Sequence, residues 1–212
     1  MVRLTADINK FLSFTLSSRK FKQVWDKETL FSGGEGLLAH YVVKGLDGGA
    51  MPESRLDAVY REVLFKGGTF AGQLTTKGKQ QMHALGGVYK KYYIDTLQFL
   101  DPKFTPEHIY IRSTNVNRTI ESAACVLAGM FGNHIKKKDP VSILVASSTD
   151  EILYPNAYFC NRFAAINKNL WNDNDTMPGM RHSRRQLQDM LGIPQNERLD
   201  IVKLRDVLAC QK

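Results

Sequence analysis

"IYIRSTNVNRTIESA", Ile109 to Ala123, is the stretch from which the fold can be read. Ile109 and Ile111 alternate with Tyr110, and no glycine or proline interrupts the run from His108 to Ser113, which is the pattern of a short buried strand. From Val116 the period changes. Val116, Ile120, Ala123, Ala124, Leu127 and Met130 fall at helical spacing, with Thr114 or Asn115 available as the N-cap and Gly132 placed to end the helix. Strand, turn and helix make half of a βαβ unit. "VSILVAS", 141 to 147, reads as the next strand after the solvated run Lys136, Lys137 and Lys138, so an α/β core with a largely parallel sheet is expected.

Arg112 stands at the junction. In open α/β sheets, ligands collect outside the carboxyl ends of the strands, where the following helices also point their N-termini. Such a terminus offers unpaired N–H groups and about half a positive charge. A guanidinium adds a planar fork of donors matched to phosphate oxygens, and Ser113 and Thr114 bring hydroxyls to the same turn. The pattern points to an oxyanion site, phosphate first. The alternative is an arginine paired with a carboxylate.

Upstream, Leu74, Gly78, Met82, Leu85, Tyr89 and Tyr92 mark an amphipathic helix capped by Thr75 or Thr76. Gly78 falls on the buried stripe, where glycine costs about 1 kcal/mol relative to alanine, so a close backbone approach to a neighbouring strand or helix is expected there. From 33 to 72 glycine is dense ("SGGEGLL", "GLDGG", "FKGGTFAGQ") and no period survives, which predicts a long surface loop. Beyond Asp150, "NDNDTMPGM" is a loop and "RRQLQDMLG" a short helix. The expected organisation is an unplaced and disorder-prone segment 1–40, a partial α/β core 41–149, and part of a helical cap 150–212.

The totals narrow the function class. A chain of 212 residues, 43% apolar, closes one core or one core plus a lobe. A net charge of +8 and a pI near 9.4 favour acidic partners, with phosphate the common factor. Nucleic acid is disfavoured, because no aromatic residues interleave with the basic ones and no reading motif occurs. Cys125, Cys160 and Cys210 are odd in number and far apart, which argues against a disulfide framework or a thiolate zinc site and for a reducing, intracellular setting. No run approaches the roughly 18 apolar residues of a spanning helix. The first 25 residues are rich in Ser, Lys and Arg; a poorly packed terminus is the first reading and a mitochondrial transit peptide the second.

"IYIRSTNVNRTIESAACVLAGMF" resembles a conserved block of the histidine acid phosphatases, and "AGQLTTKGKQQMHALG" is similar to the G-x-L-T-x-x-G-x-x-Q block that precedes it in that family. "GLDGGAMP", "LFKGGTFAGQLT", "EILYPN" and "DMLGIP" extend the resemblance over roughly 43 to 210, toward the members that act on lysophosphatidic acid. The resemblance implies an incomplete phosphoglycerate-mutase-like, acid-phosphatase core and a phosphomonoesterase without metal or cofactor. A histidine would attack phosphorus, arginines would hold the equatorial oxygens and an aspartate would protonate the leaving alkoxide. Lysophosphatidic acid would give monoacylglycerol and phosphate. Arg112 matches the oxygen-holding arginine, and Arg118 is expected to position or ion-pair. A phosphomonoester or lysophospholipid is the implied partner, and the lysine run could touch a membrane surface.

Two blocks of the family pattern are absent: R-H-G-x-R-x-P, which carries the nucleophile, and the His-Asp pair, which carries the acid. "RHSRRQL" at 181 to 187 is a decoy, because Ser183 replaces the glycine, no proline follows, and it opens a helix. His182, like His40, His83, His108 and His134, is read as structural or exposed. The expectation is therefore the central portion of such a phosphatase, truncated and inactive alone. The alternative is a truncated isoform that binds phosphate or lysophospholipid without catalysis.

Overall fold

The computed structural model describes residues 30–64, 67–156, 159–172, 179–197, 199, 201, 204 and 205. Along these the order is β1 (Tyr41–Gly45), α1 (Arg55–Arg61), α2 (Thr76–Tyr89), β2 (Arg112–Ser113), α3 (Asn117–Phe131), β3 (Val141–Val145), α4 (Asn161–Asn172) and α5 (Met180–Leu191). Two compact units result, the first ending at Leu153 and the second running from Tyr154. Both readings of residues 1–25 lie outside the described residues. No helix among those described is long and apolar enough to cross a membrane.

In the first unit β3 is the central strand, with β1 on one side and β2 on the other, and both pairings are parallel. Its inward residues Val141, Ile143 and Val145 are buried, and α3 lays Ile120, Ala124, Leu127 and Phe131 into the same core. Each fully buried large aliphatic or aromatic side chain contributes about 1.5–3 kcal/mol. The parallel α/β core read from the periods is what forms. The strand expected over His108–Ser113 is shorter: Pro106–His108 is a 3-10 turn, and the ladder is confined to Arg112–Ser113. Ile111 still accepts from the Leu144 N–H at 3.0 Å, and Tyr110 faces outward between the two isoleucines.

The glycine-dense stretch 33–72 is not one long loop, since β1 and α1 lie within it. Tyr41, Val43 and Gly45 turn inward while Val42 and Lys44 turn out, a period-2 signal masked by the surrounding glycines. α1 starts at Ser54, whose hydroxyl accepts the Asp57 N–H at 3.2 Å; Ser54-x-x-Asp57 is a capping signature legible in the sequence. Residues 38 and 39 belong to this unit too: Ala39 is buried and donates its N–H to Ala124 O.

The block from Gly72 to Gly78 is a helix entry. Gly72 sits at φ +79 with the Tyr60 ring where a Cβ would be, and Thr75 caps α2 by accepting the Gly78 N–H at 3.1 Å. Gly78 is not a point of approach to another element; a Cβ there would meet Leu74 Cδ1, folded back from the preceding turn. The close approach lies further along, where Gly86 of α2 and Gly129 of α3 pack backbone to backbone. The expected stripe also fails at its end. Tyr89, the last residue of α2, is already exposed, and α2 then widens into a π-helical segment, Lys90–Thr96, whose i→i+5 bonding shifts the register, burying Ile94 and leaving Tyr92 exposed.

On α3, Cys125 is fully buried, and burial pushes its thiol up to about 11 against the opposing pull of Lys79 and with a smaller push from Glu121. The thiol therefore stays protonated until the pH rises toward that value. At mildly alkaline pH, iodoacetamide is expected to label exposed Cys160 and spare Cys125, with both labelled in urea, as read by peptide mass spectrometry.

In the second unit α5 ends at Gly192, in the left-handed region at φ +68, and Ile193, Leu199 and Leu204 form a small core with Leu187 and Leu191. Gln188 ties this corner, donating from Nε2 to Pro194 O at 3.2 Å and Glu197 O at 2.6 Å. The helix read from "RRQLQDMLG" is present, and α4 was not foreseen. Of the expected loop "NDNDTMPGM", residues 173–178 lie outside the described residues.

Candidate functional site

β2 and β3 end side by side, with Arg112 opposite Leu144 and Ser113 opposite Val145, so the segments leaving both strands emerge at one edge. After β2 the chain turns into α3. After β3 it turns through Ser147–Asp150, where Ser147 Oγ donates to Asp150 Oδ2 at 2.6 Å, and this turn delivers Glu151 to Arg112.

Arg112 is therefore not a lone cation. Its Nη2 donates to Glu151 Oε1 at 3.0 Å, and the Glu151 side chain is fully buried while the arginine's is 18% exposed. The same oxygen accepts the N–H groups of Ile152 at 2.8 Å and Leu153 at 2.7 Å. Arg112 Nε is buried and has no hydrogen-bond partner among the described residues. Of the two sequence readings of this arginine, the pairing with a carboxylate is what the structure shows, and one buried donor, Nε, is left uncommitted among the described residues.

The helix N-terminus departs further from expectation. The N-cap of α3 is Val116, with no side-chain bond, rather than Thr114 or Asn115. The cap comes from another element: Asp57 Oδ2 of α1 accepts the Asn117 N–H at 2.8 Å. One first-turn donor expected for phosphate is thereby taken, and the carboxylate offsets the helix dipole. The Thr114 hydroxyl lies 2.6 Å from the Thr119 hydroxyl. Ser113 is buried. Neither hydroxyl reaches Arg112 by a hydrogen bond among the described residues.

Asn115 and Arg118 tie the junction to residues 50–72. The buried Asn115 amide donates to Pro52 O and Glu53 O, each at 3.0 Å. Arg118, on the first turn of α3, is buried over the Tyr60 ring at 4.8 Å from its centroid and donates to the Tyr60 hydroxyl at 3.2 Å. His182 is exposed on the first turn of α5.

Sequence reading missed Glu151 and Asp57 as members of the site. Asp57 carried a local signal, the Ser54-x-x-Asp57 cap, which pointed to α1 and not to its second partner. Glu151 carried none beyond its place in "EILYPN", because its meeting with Arg112 spans 39 residues of chain.

The chain is 38% identical over 172 residues to lysophosphatidic acid phosphatase type 6 of Pongo abelii, covering 81% of this chain and 40% of the relative. The identity to the Homo sapiens protein of the same name is 37% over the same length. Putative acid phosphatase 11 of Caenorhabditis elegans is 42% identical over 73 residues, covering 34% of this chain and 18% of that one. The chain thus spans about two fifths of the length of the curated phosphatases it matches over most of its own length. The model of the histidine phosphatase superfamily, branch 2, matches residues 14–192, reaching into the segment that the motif resemblance left unplaced. With the G-x-L-T entry, the arginine-bearing β2–α3 junction and the parallel sheet inside that match, this chain belongs to branch 2 of the histidine phosphatase superfamily.

Proposed function

We propose that this chain carries part of an acid phosphatase site, in which Arg112 grips a phosphoryl oxygen of a phosphomonoester. One observation carries the reading: on the two-residue strand β2, just ahead of α3, the Arg112 guanidinium keeps a buried Nε–H without a hydrogen-bond partner among the described residues. A buried charged donor is costly unless an acceptor reaches it, and a phosphoryl oxygen is the acceptor that the family's chemistry provides. Ser113 and Thr114 are the further donors of the same turn, Thr114 by rotating its hydroxyl away from Thr119.

The name of two relatives that match most of this chain supports lysophosphatidic acid as the substrate, hydrolysed to monoacylglycerol and phosphate, and the family resemblance supports a phosphohistidine as the intermediate. The exposed lysines 136–138, between α3 and β3, support contact with an anionic membrane surface where such a substrate resides. R-H-G-x-R-x-P and His-Asp do not occur in these 212 residues, so the chain by itself is proposed to bind phosphate without turning over an ester. The same absence favours the second reading, a binder of phosphate or lysophospholipid with no catalytic role.

Calorimetry tests the grip. Inorganic phosphate is expected to bind in the millimolar range, and Arg112→Lys, which keeps the charge and loses the fork, is expected to weaken binding by about ten-fold. A wild-type titration without heat overturns the grip. Turnover of a chromogenic phosphomonoester by the 212 residues at acid pH overturns the proposed inactivity.

A further inference from the structure

Glu151 is held in place by its own backbone. Its Oε1 accepts from the N–H groups of Ile152 and Leu153 at 2.8 and 2.7 Å, as well as from Arg112 Nη2 at 3.0 Å. Two of these donors belong to the next two residues, so the turn after β3 fixes the oxygen independently of the arginine. A buried ion pair is weak as a stabilising device, because desolvating both charges offsets most of their attraction and an apolar pair of similar volume does as well. What such a pair does supply is orientation. A guanidinium rotates about several side-chain bonds, and one anchored Nη removes most of that freedom.

From this geometry we propose that Glu151 is the positioning residue of the phosphate grip: its fixed oxygen holds Arg112 Nη2 so that the uncommitted Nε–H stays aimed at the incoming phosphoryl oxygen. The inference rests on the phosphate-gripping reading of Arg112. It assigns to Glu151 a role that depends on where its oxygen lies, not on its negative charge. A misplacement of about 1 Å in such a contact can cost as much as 100-fold in rate.

That distinction can be measured. The ¹H–¹⁵N resonance of Arg112 Nε, identified by its loss in Arg112→Lys, is followed while inorganic phosphate is added to the 212-residue chain. In the wild type it is expected to move and saturate. Glu151→Gln keeps an oxygen at the same reach and is expected to bind within about two-fold of wild type; Glu151→Asp keeps the charge, withdraws the oxygen by one methylene, and is expected to bind about ten-fold more weakly. Amide resonances of β3 report that each variant is folded, and the Gln variant alone decides the matter if the Asp variant is not. Wild-type affinity in Glu151→Asp, or a loss of about ten-fold in Glu151→Gln, overturns the positioning role and leaves the grip standing. A wild-type resonance that phosphate does not move removes the grip, and the positioning role with it.

Discussion

Arg112→Ala is expected to lower folding stability by about 3–5 kcal/mol, far more than an exposed arginine would. The loss comes from Glu151. Its side chain has no solvent exposure, and removing the guanidinium takes away the ion-pair partner 3.0 Å from Oε1, while the backbone N–H groups of Ile152 and Leu153 remain. Urea denaturation monitored by circular dichroism gives the number. The double replacement Arg112→Met with Glu151→Leu is expected to recover part of the loss, because it removes both buried charges together. Recovery stays incomplete, since the N–H groups of Ile152 and Leu153 then lose their acceptor. A single Arg112→Ala change that costs less than about 1 kcal/mol would show that the pair is solvated and weak.

The second large effect lies in the packing of α2 on α3. Gly86→Ala is expected to destabilise by about 1–3 kcal/mol or more, because the added methyl overlaps Val126 O and the Gly129 Cα, both backbone atoms that cannot rotate away. Gly129→Ala is expected to behave alike, its methyl falling on His83 O. Gly87 supplies the control on the neighbouring position. A Cβ there meets nothing within 4 Å, so Gly87→Ala is expected to stabilise by about 1 kcal/mol through helix propensity. Thermal melts of the three variants check the contrast in sign. Equal shifts at 86 and 87 would mean that the two helices do not approach through glycine.

Local patterns account for most of the secondary structure. β3 and α3 could be read from period alone, because Val141, Ile143 and Val145 face one core and Ile120, Ala124 and Leu127 face it from the other side. The end of α2 could not, since the π-helical segment Lys90–Thr96 changes the period part-way and turns Tyr92 outward. β1 was hidden for the opposite reason. Its alternation is genuine but only Tyr41–Gly45 long, set among glycines that weaken any windowed signal. Gly78 and Gly86 show the limit for single residues: both sit on α2, and nothing local says which of them faces a second backbone.

The site divides along the same line. Arg112 at a strand-to-helix junction, Arg118 on the first turn of α3 and the G-x-L-T entry of α2 are consequences of neighbouring residues, so the chain's own order of amino acids settles them. The partners of those residues are settled by folding. Asp57 reaches the start of α3 across 60 residues, and Glu151 reaches Arg112 across 39. Periodicity carries no information over such separations, because which carboxylate meets which cation depends on how parallel strands align and where the turns beyond them end.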